Sequence, residues 1–223
     1  MGYKKIVLSI LFFGIGSTEL LLAMDQKVNS GQKIQELLEA SCLGNTKIVR
    51  KLIEDGVSAN ATDKHGATGL HWASFNGHTE TVAYLLKKDA NVKATDNKGL
   101  TPLQYVLSID GCNDLDVMRP LVGHGSSANE TDAHTGHSCS NWTPLFYAVD
   151  QNDRESAGFF LKKGATVAAI DICGNTPLHY ASLRSTPEMI KLLVASGADI
   201  NHEDGIGQTP LYRTCCEGKY GLV

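Results

Sequence analysis

Apolar residues return at helical spacing through most of the chain. In the stretch 77–99, GHTETVAYLLKKDANVKATDNKG, Val82, Leu85 and Leu86 form one stripe. In 186–207, TPEMIKLLVASGADINHEDGIG, the stripe is Ile190, Leu193 and Val194. Three- and four-residue spacing puts such residues on one helix face, so each stretch predicts an amphipathic helix. Glu80 and Glu188 fall in the first turns, where the helix dipole favours negative charge. Gly197 follows one helix where a left-handed residue is needed, and Asp89 takes that position after the other. A shorter pattern precedes these helices. Leu70, Leu145 and Leu178 stand three residues before Ala73, Ala148 and Ala181, so the large and the small residue share a face. The alanines let neighbouring helices approach closely. After Leu103 and Leu211 that position holds Val106 and Thr214, which predicts looser packing there.

The short pattern is part of a repeat. ATGLHWAS (67–74), LTPLQYVL (100–107), WTPLFYAV (142–149), NTPLHYAS (175–182) and QTPLYRTC (208–215) align at Thr68, Thr101, Thr143, Thr176 and Thr209, with separations of 33, 42, 33 and 33 residues. Each Thr opens a helix by accepting from its first free N–H groups. The Pro that usually follows costs nothing, because its missing N–H would have been unpaired. Residues 33–63 lack the TPLH run but keep two helices, with Ala40 and Gly44 in register with Ala73 and Gly77. Gln35, Glu36 and Glu39 make the first of these polar on one side, as an end cap requires.

A 33-residue period built on T-P-L-H-x-A resembles the ankyrin repeat. The resemblance covers residues 33 to about 219 and implies an all-α solenoid of stacked helix-turn-helix units with β-hairpin fingers, about five and a half repeats long. Their expected bounds are 33–66, 67–99, 100–141, 142–174, 175–207 and an incomplete 208–223, preceded by an apolar segment at 1–23 and a linker at 24–32. The resemblance also implies a non-catalytic protein-protein interaction module with no cofactor and no bound metal. Its partner would be a protein held on the concave face of first helices and finger tips. On the positions of this sequence, that face includes His65 and Lys98 at finger tips and Leu100 and Trp142 before the repeat threonines. At the ends of the first helices it includes Phe75, Ile109, Asp150, Leu183 and Arg184. Phe75, Leu100, Ile109, Trp142 and Leu183 are apolar where a purely solvated surface favours polar groups, and such anchors concentrate interface energy. The alternative is that they pack between neighbouring fingers. Trp72, Tyr105, Tyr147 and Tyr180 recur four residues after each Thr as a ladder expected to pack between repeats with its polar edge exposed. His71 and His179 belong to the motif and are expected to hydrogen-bond within the turn.

The first residues change the picture. MGYKK is followed by the uncharged run Ile6–Gly16 and then STELLLAMDQ, the pattern of a secretory signal peptide. That run is too short for a hydrocarbon core needing about 20 apolar residues. The expectation is a secreted or periplasmic, monomeric protein with no stable membrane span after processing; a membrane-anchored or cytoplasmic chain is the alternative. A net charge of −4 with no basic run beyond pairs argues against a nucleic-acid partner.

The 42-residue spacing hides insertions around DGCNDLD and in the finger AHTGHSCSNW. Repeat three also carries Gln104 for His, Val106 for Ala and Pro120, which is expected to interrupt its second helix and loosen the middle of the array. The six cysteines form no CxxC pair. Cys139 and Cys173 lie in neighbouring fingers, where a disulfide, or a zinc site with His134 and His137, competes with plain loop residues. Asn60, Asn129 and Asn141 occupy N-x-S/T sequons. Two other functions stay open: the targeting part of a longer enzyme or a host-directed effector, and a metal- or redox-responsive regulator.

Overall fold

The computed structural model describes residues 17–108, 113–132, 141–184 and 186–216. Among them, eleven helices follow one another in pairs. They are α1 (Ser17–Cys42), α2 (Thr46–Glu54), α3 (Gly69–Phe75), α4 (Thr79–Lys87), α5 (Pro102–Val106), α6 (Leu115–Gly123), α7 (Pro144–Asp150), α8 (Arg154–Lys162), α9 (Pro177–Leu183), α10 (Pro187–Ala195) and α11 (Pro210–Cys216). First helices pack in order, α1 on α3 and α3 on α5, then α7 on α9 and α9 on α11, while second helices α2, α4, α6, α8 and α10 pack each on the next. Residues 24–32, expected as a linker, continue the helix that begins at Ser17.

One core runs between the two layers. Leu70, Leu103 and Leu145 are fully buried, as are Ala73, Val106, Ala148 and Ala181. Val106 is thus accommodated without exposure, but α5 has 5 residues against 7 in α3. The stripe of α10 differs from expectation. Met189 and Leu193 are buried, while Val194 is 42% exposed, although its counterpart Leu86 in α4 is buried. Among the described residues no second helix of a following repeat covers Val194. Leu211 is 53% exposed for the same reason.

Pro120 does not interrupt its helix. α6 runs from Leu115 to Gly123 with Pro120 inside it. Val117, Met118, Leu121 and Val122 are all buried, and the burial of that face outweighs the lost backbone bond.

The fingers are tight turns rather than paired strands; among the described residues the only bridge is Thr62 with Thr68. Each finger is closed at its base by a backbone bond, such as Asp63 N–H to the Ala67 carbonyl at 2.9 Å or Asp171 N–H to the Asn175 carbonyl at 3.0 Å. Neighbouring fingers nest. A Cβ on Gly174, whose φ is +78°, would stand 2.7 Å from the Gly205 nitrogen, so only glycine fits both the angle and the gap. Gly197 (φ +94°) and Asp89 (φ +58°) take the left-handed positions expected after α10 and α4.

Side-chain amides tie repeat to repeat. Asn60 accepts from Asn91 N–H at 2.6 Å and donates to the Asp89 carbonyl, and Asn129 bridges Thr166 and Gly164 in the same manner. Asn141 donates to the Ile170 carbonyl at 2.9 Å. All three sequon nitrogens thus donate into the adjacent repeat, and a glycan on any of them would leave one N–H to keep that bond.

Candidate protein-binding face

The face built by first helices and fingers is organised by aspartates that the pattern of apolar residues does not reveal. Asp63, Asp96, Asp132, Asp171 and Asp204 open successive fingers. In four of them one carboxylate oxygen accepts two backbone N–H groups of its own turn, as Asp171 does from Cys173 and Asn175 at 2.9 and 2.8 Å. In the lengthened finger Asp132 accepts from Trp142 N–H at 2.7 Å. The other oxygen receives the polar tip of the ladder residue: Trp72 Nε1 on Asp63 at 3.1 Å, Tyr105 on Asp96 at 2.9 Å, Tyr147 on Asp132 at 3.1 Å and Tyr180 on Asp171 at 2.7 Å. The ladder's polar edges are thus bound to their own fingers and not left to solvent. Arg213 replaces the aromatic in the last unit and places Nη1 3.9 Å from Asp204. A signal for this was present in the sequence as an Asp nine residues before each ladder residue, obscured by the insertion at Asp132.

Anchored in this way, the aromatic rings form two groups. Trp72, Phe75 and Tyr105 meet edge to face with centroids 6.0 to 6.5 Å apart, and all three are half-buried. Beside Trp72, residues Gln35, Leu38, Glu39, Cys42 and Asp63 line a depression of about 190 Å³. In the second group Trp142 stacks on Phe146 at 5.6 Å and meets Tyr147 and Tyr180 edge-on at 5.1 Å. Phe146 occupies the place that His71 and His179 hold elsewhere. It is fully buried, and the Trp142 indole nitrogen and Thr143 hydroxyl beside it are buried without a hydrogen-bond partner.

The expected contact residues separate into three kinds. Phe75, Leu100, Trp142 and Leu183 are half-buried on the face; Trp142 is also a packing residue between repeats four and five. His65 and Lys98 are exposed at their finger tips, while their backbones serve the turns: the His65 carbonyl accepts from Asn97 N–H, and Lys98 N–H donates to Asp96. Asp150 and Arg184 form an ion pair with each other across repeats four and five. Ile109 lies outside the described residues, as do His134, His137, Cys112 and Cys139, so the zinc and disulfide alternatives fall there. Cys173 is free and exposed, and the described residues hold no group of three or more metal-ligand side chains.

The motif histidines do hydrogen-bond within the turn. His71 Nδ1 accepts from Thr68 N–H at 3.0 Å, so Nε2 carries the proton and donates to the Leu100 carbonyl of the next repeat at 3.1 Å. His179 repeats this with Thr176 and the Gln208 carbonyl. In repeat three Gln104 does the same work, accepting from Thr101 N–H at 3.1 Å through Oε1.

Burial lowers the pKa of both His71 and His179, against smaller raising effects of the Leu100 and Gln208 carbonyls. For Asp96, burial alone would push the carboxyl up. Bonds from Leu100 N–H, the Tyr105 hydroxyl and Lys98 N–H outweigh it and hold the group below the ordinary carboxylate range. The sign follows for both types. The unfolded chain binds protons before the folded one does, so stability is full above about pH 6.5 and falls as pH drops through the folded-state histidine values. It falls again below about pH 4 as Asp96 and Asp204, both held low in the folded chain, protonate. Thermal melts between pH 7.5 and pH 5 are expected to show the first loss. The double variant His71→Gln/His179→Gln, built on the native Gln104 arrangement, is expected to flatten it while folding normally at pH 7.5. An unchanged pH slope in that variant would contradict the assignment.

These helix pairs, finger turns and fixed caps define a repeat solenoid of the kind used as an interaction scaffold. The family description "Ankyrin repeats (3 copies)" matches residues 37–132, 106–204 and 166–223, and the chain belongs to the ankyrin-repeat family. No curated protein matches it. Among solved structures it is similar to a chain in the complex of the Bd0816 predatory endopeptidase from Bdellovibrio bacteriovorus with the immunity protein Bd3460. The TM-score is 0.66 at 26% identity, covering 84% of this chain and 94% of that one. It is also similar to the ankyrin repeat domain of Bcl-3, a member of the IkappaB protein family, with a TM-score of 0.58 at 28% identity, covering 79% of this chain and 76% of that one. Ankyrin repeats are protein-protein interaction modules, and the fold is typically a non-catalytic scaffold. Among the described residues no helix is long and apolar enough to cross a membrane.

Proposed function

We propose that this chain is an exported, non-catalytic binding protein that seats a protein partner on the face of its first helices and fingers. The observation that carries the reading is the rigid, half-exposed group of Trp72, Phe75 and Tyr105. Two of its rings are held at their polar tips by Asp63 and Asp96, so little side-chain freedom is left to lose on binding. The signal-like N-terminus supports export. A photo-crosslinking residue placed at Phe75 in the cells that make the protein is expected to capture one protein, and the same residue at Lys47 on α2 is not. With that partner purified, Phe75→Ala weakens binding at least about tenfold while the chain stays folded at the assay temperature, its melting temperature falling only by the loss of the two ring contacts. Identical products from both positions, or unchanged affinity, would sink the proposal. Recovery of the chain from the cytoplasmic fraction alone would remove export from it.

The similarity to a chain from an endopeptidase–immunity protein complex favours a more specific second reading: the partner is an exported peptidase held in check by this chain. The captured protein would then be a peptidase whose activity falls on adding the purified chain. A partner of another class removes the peptidase reading and leaves the scaffold reading standing.

A further inference from the structure

The layer of second helices carries a surface that this reading does not use. α8 and α10 pack as neighbours, and Arg154, Glu155, Gly158, Phe159, Lys162 and Leu192 line a groove of about 590 Å³ there. Its floor is apolar, formed by the half-buried Phe159 and Leu192. Gly158 sits inside α8, where glycine is unfavourable compared with alanine. A Cβ at Gly158 would meet nothing within 4 Å, so packing within the chain gives no reason for glycine. A bare backbone there leaves room for another element to come close.

The rim is cationic. Arg154 and Lys162 are exposed, and neither has an ion pair among the described residues. Glu155 faces the groove as well, but it pairs with Arg119 at 3.2 Å. Lys163 stands over the Phe159 ring at 5.8 Å, and exposed Lys191 and Glu188 lie on α10. Arg154 and Lys162 begin and end α8, eight residues or about 12 Å apart along its axis. That separation matches two turns of a second helix.

We propose that this groove docks an acidic amphipathic helix of a partner protein. Its apolar row lies over Phe159 and Leu192 beside Gly158, and its carboxylates, two turns apart, meet Arg154 and Lys162. A lipid surface fits less well, because the apolar residues form a recessed floor, whereas membrane-bound surfaces bury protruding apolar side chains among the headgroups.

The test uses the full chain and a fluorescent peptide of about 18 residues, long enough to form a helix, with leucines at helical spacing flanked by glutamates. A twin peptide carries lysine for glutamate, and phosphatidylglycerol vesicles form the lipid arm. The acidic peptide is expected to bind and the lysine twin not. Arg154→Glu and Lys162→Glu are expected to weaken it about tenfold or more. Gly158→Leu fills the groove and abolishes binding while the melting temperature stays level or rises, which separates docking from folding. Phe75→Ala leaves peptide affinity unchanged, so failure here is distinct from failure of the reading above. The proposal is overturned if neither peptide binds, if both bind alike, or if Gly158→Leu has no effect. It is also overturned if only the vesicles bind and do so through Arg154 and Lys162.

Discussion

Asp171→Ala is expected to cost about 3 kcal/mol of folding stability, the largest loss predicted for any single change on the finger face. Asp171 is buried, with 3% of the residue's surface exposed. It accepts from Cys173 N–H, Asn175 N–H, the Asn175 side-chain amide and the Tyr180 hydroxyl. Removing it strands these donors together. A hydrogen bond to a charged group contributes about 1.5–3 kcal/mol, and donors in one network do not add, so the sum stays well below four independent losses. Asp171→Asn keeps the shape and one accepting oxygen and is expected to cost about half as much. Urea denaturation of the three proteins measures both. A loss below about 1 kcal/mol for Asp171→Ala would show that finger and ladder are not coupled through this group. The change should also release the Trp142–Tyr180 contact, seen as altered tryptophan fluorescence, while Trp72 in repeat two is unaffected.

The second large effect is a gain. Pro120 is the sixth residue of α6, where its missing N–H leaves the Asp116 carbonyl without its helical donor and its ring crowds that carbonyl. Pro inside a helix costs about 3 kcal/mol compared with alanine, while its stiffness in the unfolded chain returns about 0.4–1 kcal/mol. Pro120→Ala is therefore expected to stabilise the array by about 2 kcal/mol. Hydrogen exchange locates the gain. Amides of Val117 and Leu121 should exchange faster than those of α4 and α8 in the natural chain and approach them in the variant. Equal protection in the natural chain would mean that the short α5 and the proline do not loosen the middle of the array.

The face and the core were legible to different degrees. Helix positions followed from the 33-residue period, because each unit buries its apolar stripe only against its neighbours and the period sets where those neighbours lie. Ala73, Ala148 and Ala181, the left-handed Asp89 and Gly197, and the histidine caps all stand where their residue types demand. The exposure of Val194 and Leu211 was not legible. A stripe states which residues share a face and not whether anything covers them. Pro120 misled for a related reason, since local propensity is weaker than the burial of five side chains on the same helix. Trp142 is the clearest case on the face: its place before a repeat Thr makes it a contact candidate, but its edge-on contact with Tyr180 depends on a fold that joins repeats four and five.

By itself the sequence determined the architecture of this protein, because repeat period, helix starts and helix ends are set by local backbone and side-chain chemistry. Only the tertiary structure decided the surfaces. Which aromatic tips are tied to aspartates, which asparagine amides are spent between repeats, and which glycine faces open space depend on distances between residues far apart in the chain. Local pattern carries no information about those distances until the helices are stacked.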